Sequence, residues 1–248
     1  VMWHHHPDRP FAPHALPIRG WNEAFPVFVL GAGSRSHPIP AASYHQSWAK
    51  APAFLNGQDY GGTVLPLGPD WGGPLFLSQY PFLGIDPRGL RDVYADYGQQ
   101  ARAHALVNRY HCLTNPQGWA GYGPDLWGLT ASDDPSGYVA HSPTDDTGTI
   151  TPTAALSSFP FAPDEAMPVL RHMHDDLGER IWGEAGFVDA FCPARDWVAQ
   201  SRLAIDQAPI VVGLENHRSG LIWRLVSNRA EVQRGLRALG FAAPYLQP

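Results

Sequence analysis

Charge is scarce in this chain. Only 16% of its 248 residues are Asp, Glu, Lys or Arg, and no block of basic residues occurs. With a formal net charge of −6, nothing in the sequence forms an electrostatic footprint for nucleic acid, and a neutral polar partner fits better. Cysteine is nearly absent: Cys112 and Cys192 stand 80 positions apart, without CxxC spacing, and are expected to be buried free thiols. No apolar run approaches the ~20 residues that span a bilayer. The first ten residues, VMWHHHPDRP, lack the basic-then-apolar order of a signal peptide, and His4–His6 are too few to read as a tag. No GxSxG or Walker sequence is present, and GAGS at 31–34 lacks the remaining glycine spacing of a dinucleotide site, so it reads as a helix stop.

Hydrophobic residues make up 44% of the chain and aromatics 12%, with nine tryptophans, enough to fill the core of one domain over 1–248 and to stack on flat or ring-shaped ligands. Glycine and proline, 25 of each, punctuate helices. A helix is predicted from near Trp21 to Gly31–Gly33, with Glu23 at its N-terminus, and a short one within 38–50. Residues 56–73 read as loop. The strongest helix is predicted over 88–110, where Leu90, Tyr94, Tyr97, Ala101 and Ala105 recur at spacings of three and four. From 111 to 163 there is little period of either kind, and WGLTASDDPSGY at 127–138 reads as loop. A helix over 162–178 has acidic residues at its start and Gly178 at its stop. Another follows Asp206 as N-cap, with Pro209 in the first turn and Ile210, Val211 and Leu214 as its apolar face. A last helix covers 228–239. Seven or eight helices and no βαβ alternation make the chain mainly α.

Carboxylates stand beside aromatics at several helix ends and turns: Glu23, the pair Asp133–Asp134, Asp206 and Glu215. Glycoside hydrolysis needs two such groups across a sugar ring, one protonated and one ionised, and aromatic rings supply faces for pyranose stacking. The same carboxylates also suit helix N-termini and turns, so the pattern alone leaves both readings open. His172 and His174 are two apart, which on a helix points them to different faces and argues against a metal pair.

The runs GWNEAF, GSRSHPIP, IDPRGLRD, NPQGWAGYGPDLWGLTASD, DDTGTITPTAALSSFPFAPDEA, GFVDAF and AIDQAPIVVGLENHRSGLIWRL resemble the glucoamylase-like domain. That domain occurs in bacterial endo-β-1,2-glucanases of glycoside hydrolase family 144 and, in related form, in cyclic β-1,2-glucan synthases. The resemblance spans residues 18–226 in order. It implies an all-α fold, an (α/α)6 toroid of six helical hairpins around a sugar cleft. It also implies inverting hydrolysis of a β-glucan oligosaccharide or polysaccharide, with no metal and no organic cofactor. Rival readings are a noncatalytic carbohydrate-binding or accessory module of the same fold, or the same fold acting on an α-glucan.

Carried over by position, the resemblance makes Glu23 in GWNE the general acid, with Asp133 in TASD and Asp206 in IDQ competing as base. Glu215 becomes a buried hydrogen-bonding carboxylate. Arg88 and Asp92 either hold sugar hydroxyls or form a structural ion pair, and Trp21, Tyr122, Trp127 and Trp182 are stacking candidates. Two departures bear on subsites: Arg35 and His37 lie in SRSHP where the family has SPTHP, and Asp134 stands where it has glycine. Six hairpins need more helices than are read here, so the expectation is the C-terminal part of a toroid, lacking its N-terminal hairpins. Such an arc would be open or completed by a second chain or a homo-oligomer. The resemblance places relatives in the periplasm or outside the cell.

Overall fold

The longest helix, α3 (Tyr97–Thr114), organises the chain in the computed structural model, which describes residues 1–3 and 16–246; His4–His6 lie outside them. Asp96 caps α3, its side chain accepting the Gln99 amide at 3.0 Å. Asn115, with φ of 44°, closes it in the left-handed region, its amide donating to the His111 carbonyl. The helix therefore begins nine residues later than its apolar period predicts. The Asp92 carboxylate explains why: it accepts the amides of Tyr94 and Ala95 and the hydroxyls of Tyr44 and Tyr97, holding 88–95 in turns.

Tyr97 and Ala101 of α3 face a first core built on α1 (Phe25–Ala32), the π-helical turn Ser43–Trp48 and α9 (Ala230–Ala238). Its centre is aromatic: Trp21, Phe25, Phe28, Tyr44, Trp48, Phe54, Phe82 and Phe241 interlock, with Phe28 and Trp48 stacked at 4.6 Å between centroids. Helix α1 starts at Phe25, not near Trp21, because the Asn22 carboxamide accepts the Ala24 amide and donates to the Gly20 carbonyl. Pro26 falls in the first turn, where its missing N–H costs nothing. Where α1 ends, as GAGS predicts, α1 and α9 meet backbone to backbone through Gly33 and Gly235. A Cβ on Gly235 would lie 1.8 Å from the Val29 carbonyl oxygen, and one on Gly33 2.0 Å from that of Glu231.

Cys112, further along α3, belongs to a second core formed by α4 (Pro152–Leu156), α5 (Pro163–Arg171), α6 (Gly178–Ile181), α7 (Ala204–Ser219) and the segment around Trp127. Ile210 packs into it, but Val211 is 66% exposed, so the apolar face expected of α7 is narrower than the sequence implies. Helix α8 (Leu221–Ser227) joins the two cores, Trp223 donating its indole N–H to the Phe82 carbonyl at 2.6 Å. The short helix α2 (Phe76–Gln79) packs against α3. Both cysteines are buried and free, as expected. Among the described residues, no helix is long and apolar enough to cross a membrane.

Among the described residues, four small antiparallel hairpins decorate this helical body: β1–β2 (Asp59–Tyr60, Thr63–Val64), β3–β4 (Ala131–Asp134, Gly137–Ala140), β5–β6 (Trp182–Gly183, Gly186–Phe187) and β7–β8 (Phe191–Cys192, Trp197–Val198). The stretch 127–138, read as loop, thus contains a hairpin whose two-residue turn is Pro135–Ser136. Its alternation is real but polar. Ser132 and Asp134 turn inward onto hydroxyls of Thr151, Thr147 and Thr149, while Asp133 faces the other way, so hydropathy shows no period.

Candidate active site

The loop before α1, the segment 76–82 and the hairpin β3–β4 converge through named hydrogen bonds. Trp21 donates its indole N–H to Ser78 Oγ at 3.1 Å and packs against Phe82. Two residues past Trp21, Glu23 is half-buried, and burial raises its carboxyl above the ordinary glutamate value despite an opposing backbone hydrogen bond. Two residues past Ser78, the Tyr80 hydroxyl lies 3.3 Å from Asp206 Oδ1 and 3.2 Å from the Ile205 carbonyl. Glu23 and Asp206 are thus carried by elements that both contact one short segment.

Asp206 is the centre of a carboxylate cluster. It sits in the first turn of α7, where Leu203, not Asp206, holds the cap position. Its neighbours are Asp189, in the link between β6 and β7, and Asp133 of β3. Burial, then the hydrogen bond and charge of Asp189, push Asp206 up to about 7, against the Tyr80 hydroxyl. Asp189 is also raised, by burial first and the charge of Asp133 next, with the Asp133 amide and Asp206 pulling it down. The Asp133 amide donates to Asp189 Oδ2 at 2.7 Å, the Asp189 amide to the Ser201 carbonyl at 3.0 Å, and the Ser201 hydroxyl to Asp133 Oδ2. Tyr138 pairs across the hairpin with Asp133, feels all three carboxylates and is exposed.

Asp189, Tyr80, Ser201 and Tyr138 were not among the residues singled out from the sequence. Asp189 had a signal: in GFVDAF a lone acid lies within an apolar run that must be buried. Asp134, next to Asp133, points away from the cluster. Burial opposes its charge, but the hydroxyl and amide of Ser136 and the hydroxyls of Thr147 and Thr149 outweigh that and hold it well below the usual carboxylate range. Among the described residues, no group of three or more His, Cys, Asp or Glu side chains is arranged to hold a metal ion. His172 and His174 pair separately with Asp176 and Asp175. An apolar cavity of about 190 Å³ beside Ile181, Phe191 and Trp197 shares none of the cluster's residues.

Several sequence expectations need correction. Trp21, 2% exposed, and Trp127, fully buried, are core side chains with no face left for a sugar. Trp127 donates to the Glu165 carbonyl. Tyr122 is half-buried, its hydroxyl fixed to Asp146 Oδ1 at 2.7 Å in a network with His111. Trp182, 47% exposed over Phe187, keeps an open ring. Arg88 does not pair with Asp92: it pairs with Asp86 at 2.7 Å and lies over Trp223, while Asp92 serves the two tyrosines. Glu215 is not buried; it is bound within its own helix by Arg218 and Ser219, which lower its pKa. Arg35 and His37 are exposed past the far end of α1 from Glu23, with the His37 ring on Ser36 and Arg35 in the field of Glu231.

A family model described as "Putative glucoamylase" matches residues 15–230. The chain belongs to this glucoamylase-like family. A family structure from Bacteroides uniformis, which carries the same description, superposes with a TM-score of 0.95 at 52% identity over 99% of this chain and 60% of its own. An endo-β-1,2-glucanase from Chitinophaga pinensis, solved with sophorotriose and glucose, gives the same TM-score at 45% identity, again over 99% and 60%. An exo-β-1,2-glucooligosaccharide sophorohydrolase from Parabacteroides distasonis is 36% identical over 96% of this chain and 36% of its own length. The chain therefore spans about a third of that curated relative and three fifths of each solved one. The mainly helical architecture expected from the sequence is the one these family members share.

Proposed function

We propose that this chain carries the carboxylates of a glycoside hydrolase that cleaves β-1,2-glucan or its oligosaccharides with inversion at the anomeric carbon. The observation that carries the reading is that two elements in contact with segment 76–82 bear acids: a lone carboxyl, Glu23, whose pKa burial raises, and a cluster headed by Asp206. The linkage comes from the Chitinophaga and Parabacteroides relatives, whose names share it.

Asp189 and Asp206 are in hydrogen-bond contact, too close to flank a glycosidic bond as separate acid and base, which in an inverting site stand ~6.5–9.5 Å apart. They count as one partner, and Glu23 is the other. Glu23 gives its proton to the leaving glycosidic oxygen as the bond from that oxygen to the anomeric carbon breaks. Water attacks the opposite face of that carbon, and its proton passes to Asp206. Asp133 competes less well for this role, because its oxygen is engaged by Ser201 and its amide braces Asp189. The open ring of Tyr138, beside the three carboxylates, supplies a stacking surface.

The test is reducing-sugar release from a panel of β-1,2-, β-1,3- and α-linked glucans by the protein that carries this chain, with product anomers followed by NMR. Hydrolysis of the β-1,2-glucan with first appearance of the α-anomer supports the reading. Cleavage confined to an α-glucan, or a β-anomer as first product, overturns it.

A further inference from the structure

Two buried oxygens in the cluster have no donor. Asp189 Oδ1 and Asp206 Oδ2 are inaccessible to solvent, and neither meets an N–H or O–H group. The other oxygen of each is accounted for: Asp189 Oδ2 accepts the Asp133 amide, and Asp206 Oδ1 faces the Tyr80 hydroxyl. A buried carboxylate oxygen left bare is unfavourable, and two carboxylates in contact also repel when both are charged. The charged and titratable neighbours of Asp206 are Asp189 from the β6–β7 link, Asp133 from β3, Tyr80 from segment 76–82 and Tyr138 from β4. None of these is a cation. A proton held between the two orphaned oxygens satisfies both.

We propose that Asp189 and Tyr80 are positioning residues acting through Asp206: Asp189 shares a single proton with it, and Tyr80 holds its Oδ1 so that Oδ2 meets Asp189. The pair then rests with one proton and one negative charge. On taking the proton of the attacking water it becomes doubly protonated and neutral. Asp133 and Ser201 fix Asp189 from behind, closing a ring of hydrogen bonds that keeps the shared proton from tilting toward solvent. This inference rests on the assignment of Asp206 as base for its catalytic meaning, but not for its physical content.

The experiment is infrared titration of the protonated-carboxyl C=O band in the intact chain, read beside the pH profile of kcat/KM. In the wild type one such band should persist above pH 6 and titrate near neutrality, and Asp206→Asn should remove it. Asp189→Asn deletes the like charge and offers an amide donor, so the band's midpoint should move acidward by about one pH unit or more. Tyr80→Phe deletes a donor that favours the charged form, so the midpoint should move alkaline. Opposite shifts in two conservative variants do not follow from a merely structural role. A wild-type band that vanishes in the ordinary carboxylate range overturns the shared proton, as does a midpoint unmoved by Asp189→Asn. A protein that shows the expected titration but hydrolyses no glucan would sink the proposed activity and leave the shared proton standing.

Discussion

The Asp133 amide donates to Asp189 Oδ2 at 2.7 Å, tying the β3–β4 hairpin to the β6–β7 link at the point where both carry acids. These positions are 56 residues apart in the chain, and Ser201, twelve residues further, closes the ring by accepting from Asp189 and donating to Asp133. Geometry here is imposed by three chain segments on one another, none of them a regular helix.

Ser201 is therefore expected to matter beyond its size. Ser201→Ala frees Asp133 Oδ2 while leaving the main-chain bond to Asp189 intact, so stability should fall by only about 1 kcal/mol. Glucan hydrolysis should fall more, about tenfold, as kcat more than KM, because the acids are displaced without loss of the sugar-stacking ring. Ser201→Thr, which restores the hydroxyl, should recover most of it. Steady-state kinetics on the three proteins decide the point.

Glu23→Gln keeps the shape of a half-buried side chain but removes its proton, and it should lower hydrolysis by roughly 10²–10⁴-fold with little change in melting temperature. Because burial raises Glu23, the alkaline limb of kcat/KM in the wild type should lie above the ordinary glutamate value of 4.5. Replacing the glycosidic leaving group by a phenolate of low pKa should rescue Glu23→Gln and not Asp206→Asn. Equal rescue of both would remove Glu23 from the acid role.

Much of the helical body was legible in the sequence, and the reasons are local. Helices α5 and α7 announce themselves through acidic first turns, and GAGS ends α1 as expected, whereas Gly178 opens α6 instead of stopping the helix predicted over 162–178, α5 having ended at Arg171. The start of α3 was not legible, since the apolar period continues through Leu90 and Tyr94 while the Asp92 carboxylate holds the backbone in turns. The β3–β4 hairpin was hidden because its inward side chains are Ser132 and Asp134, satisfied by threonines instead of apolar contact. Glu23, Asp133 and Asp206 are legible in the sequence, whereas Asp189 needs the fold to bring it to the two aspartates. The tryptophans misled most, for Trp21 and Trp127 have the composition of a sugar platform and the burial of a core.

Gly235→Ala tests the backbone contact between α1 and α9. The new methyl carbon would start 1.8 Å from the Val29 oxygen, against main chain that cannot rotate away, so the helices must part. The expected loss is about 3 kcal/mol or more, read as a lower urea midpoint. Gly240→Ala is the control: no atom crowds its Cβ position, and its cost should be limited to that of a positive φ at 80°.

Asp134 gives a prediction for acid. Its carboxylate collects donors from Ser136, Thr147 and Thr149 and lies well below the aspartate value of 3.8 in the fold. The stability it contributes is present above that value and is lost as pH falls below about 4. Asp134→Gly, which removes the carboxylate from these donors, should cost about 1–3 kcal/mol at pH 7 and make the melting temperature less sensitive to acid below pH 4. A variant as stable as the wild type at pH 7 would show that the threonines find other partners.

Between pH 4 and 7 two buried groups pull in opposite directions. Asp206, held up to about 7, keeps a proton in the fold that the unfolded chain releases near 3.8, so its contribution falls as pH rises through that window. His104, bonded to Ser78 Oγ and the Gly73 carbonyl, is pushed by burial down to about 4. The unfolded chain takes up a proton near 6.5 that the fold refuses, so stability is lost as pH drops from about 6.5 to 4. The two slopes oppose each other in the wild type. Asp206→Asn removes one of them, and its stability relative to wild type should grow steadily from pH 4 to 7, by on the order of 2–4 kcal/mol across the window. Denaturant midpoints measured at half-unit intervals would reveal that slope, and parallel curves for the two proteins would show that Asp206 ionises in the fold as it does in the open chain.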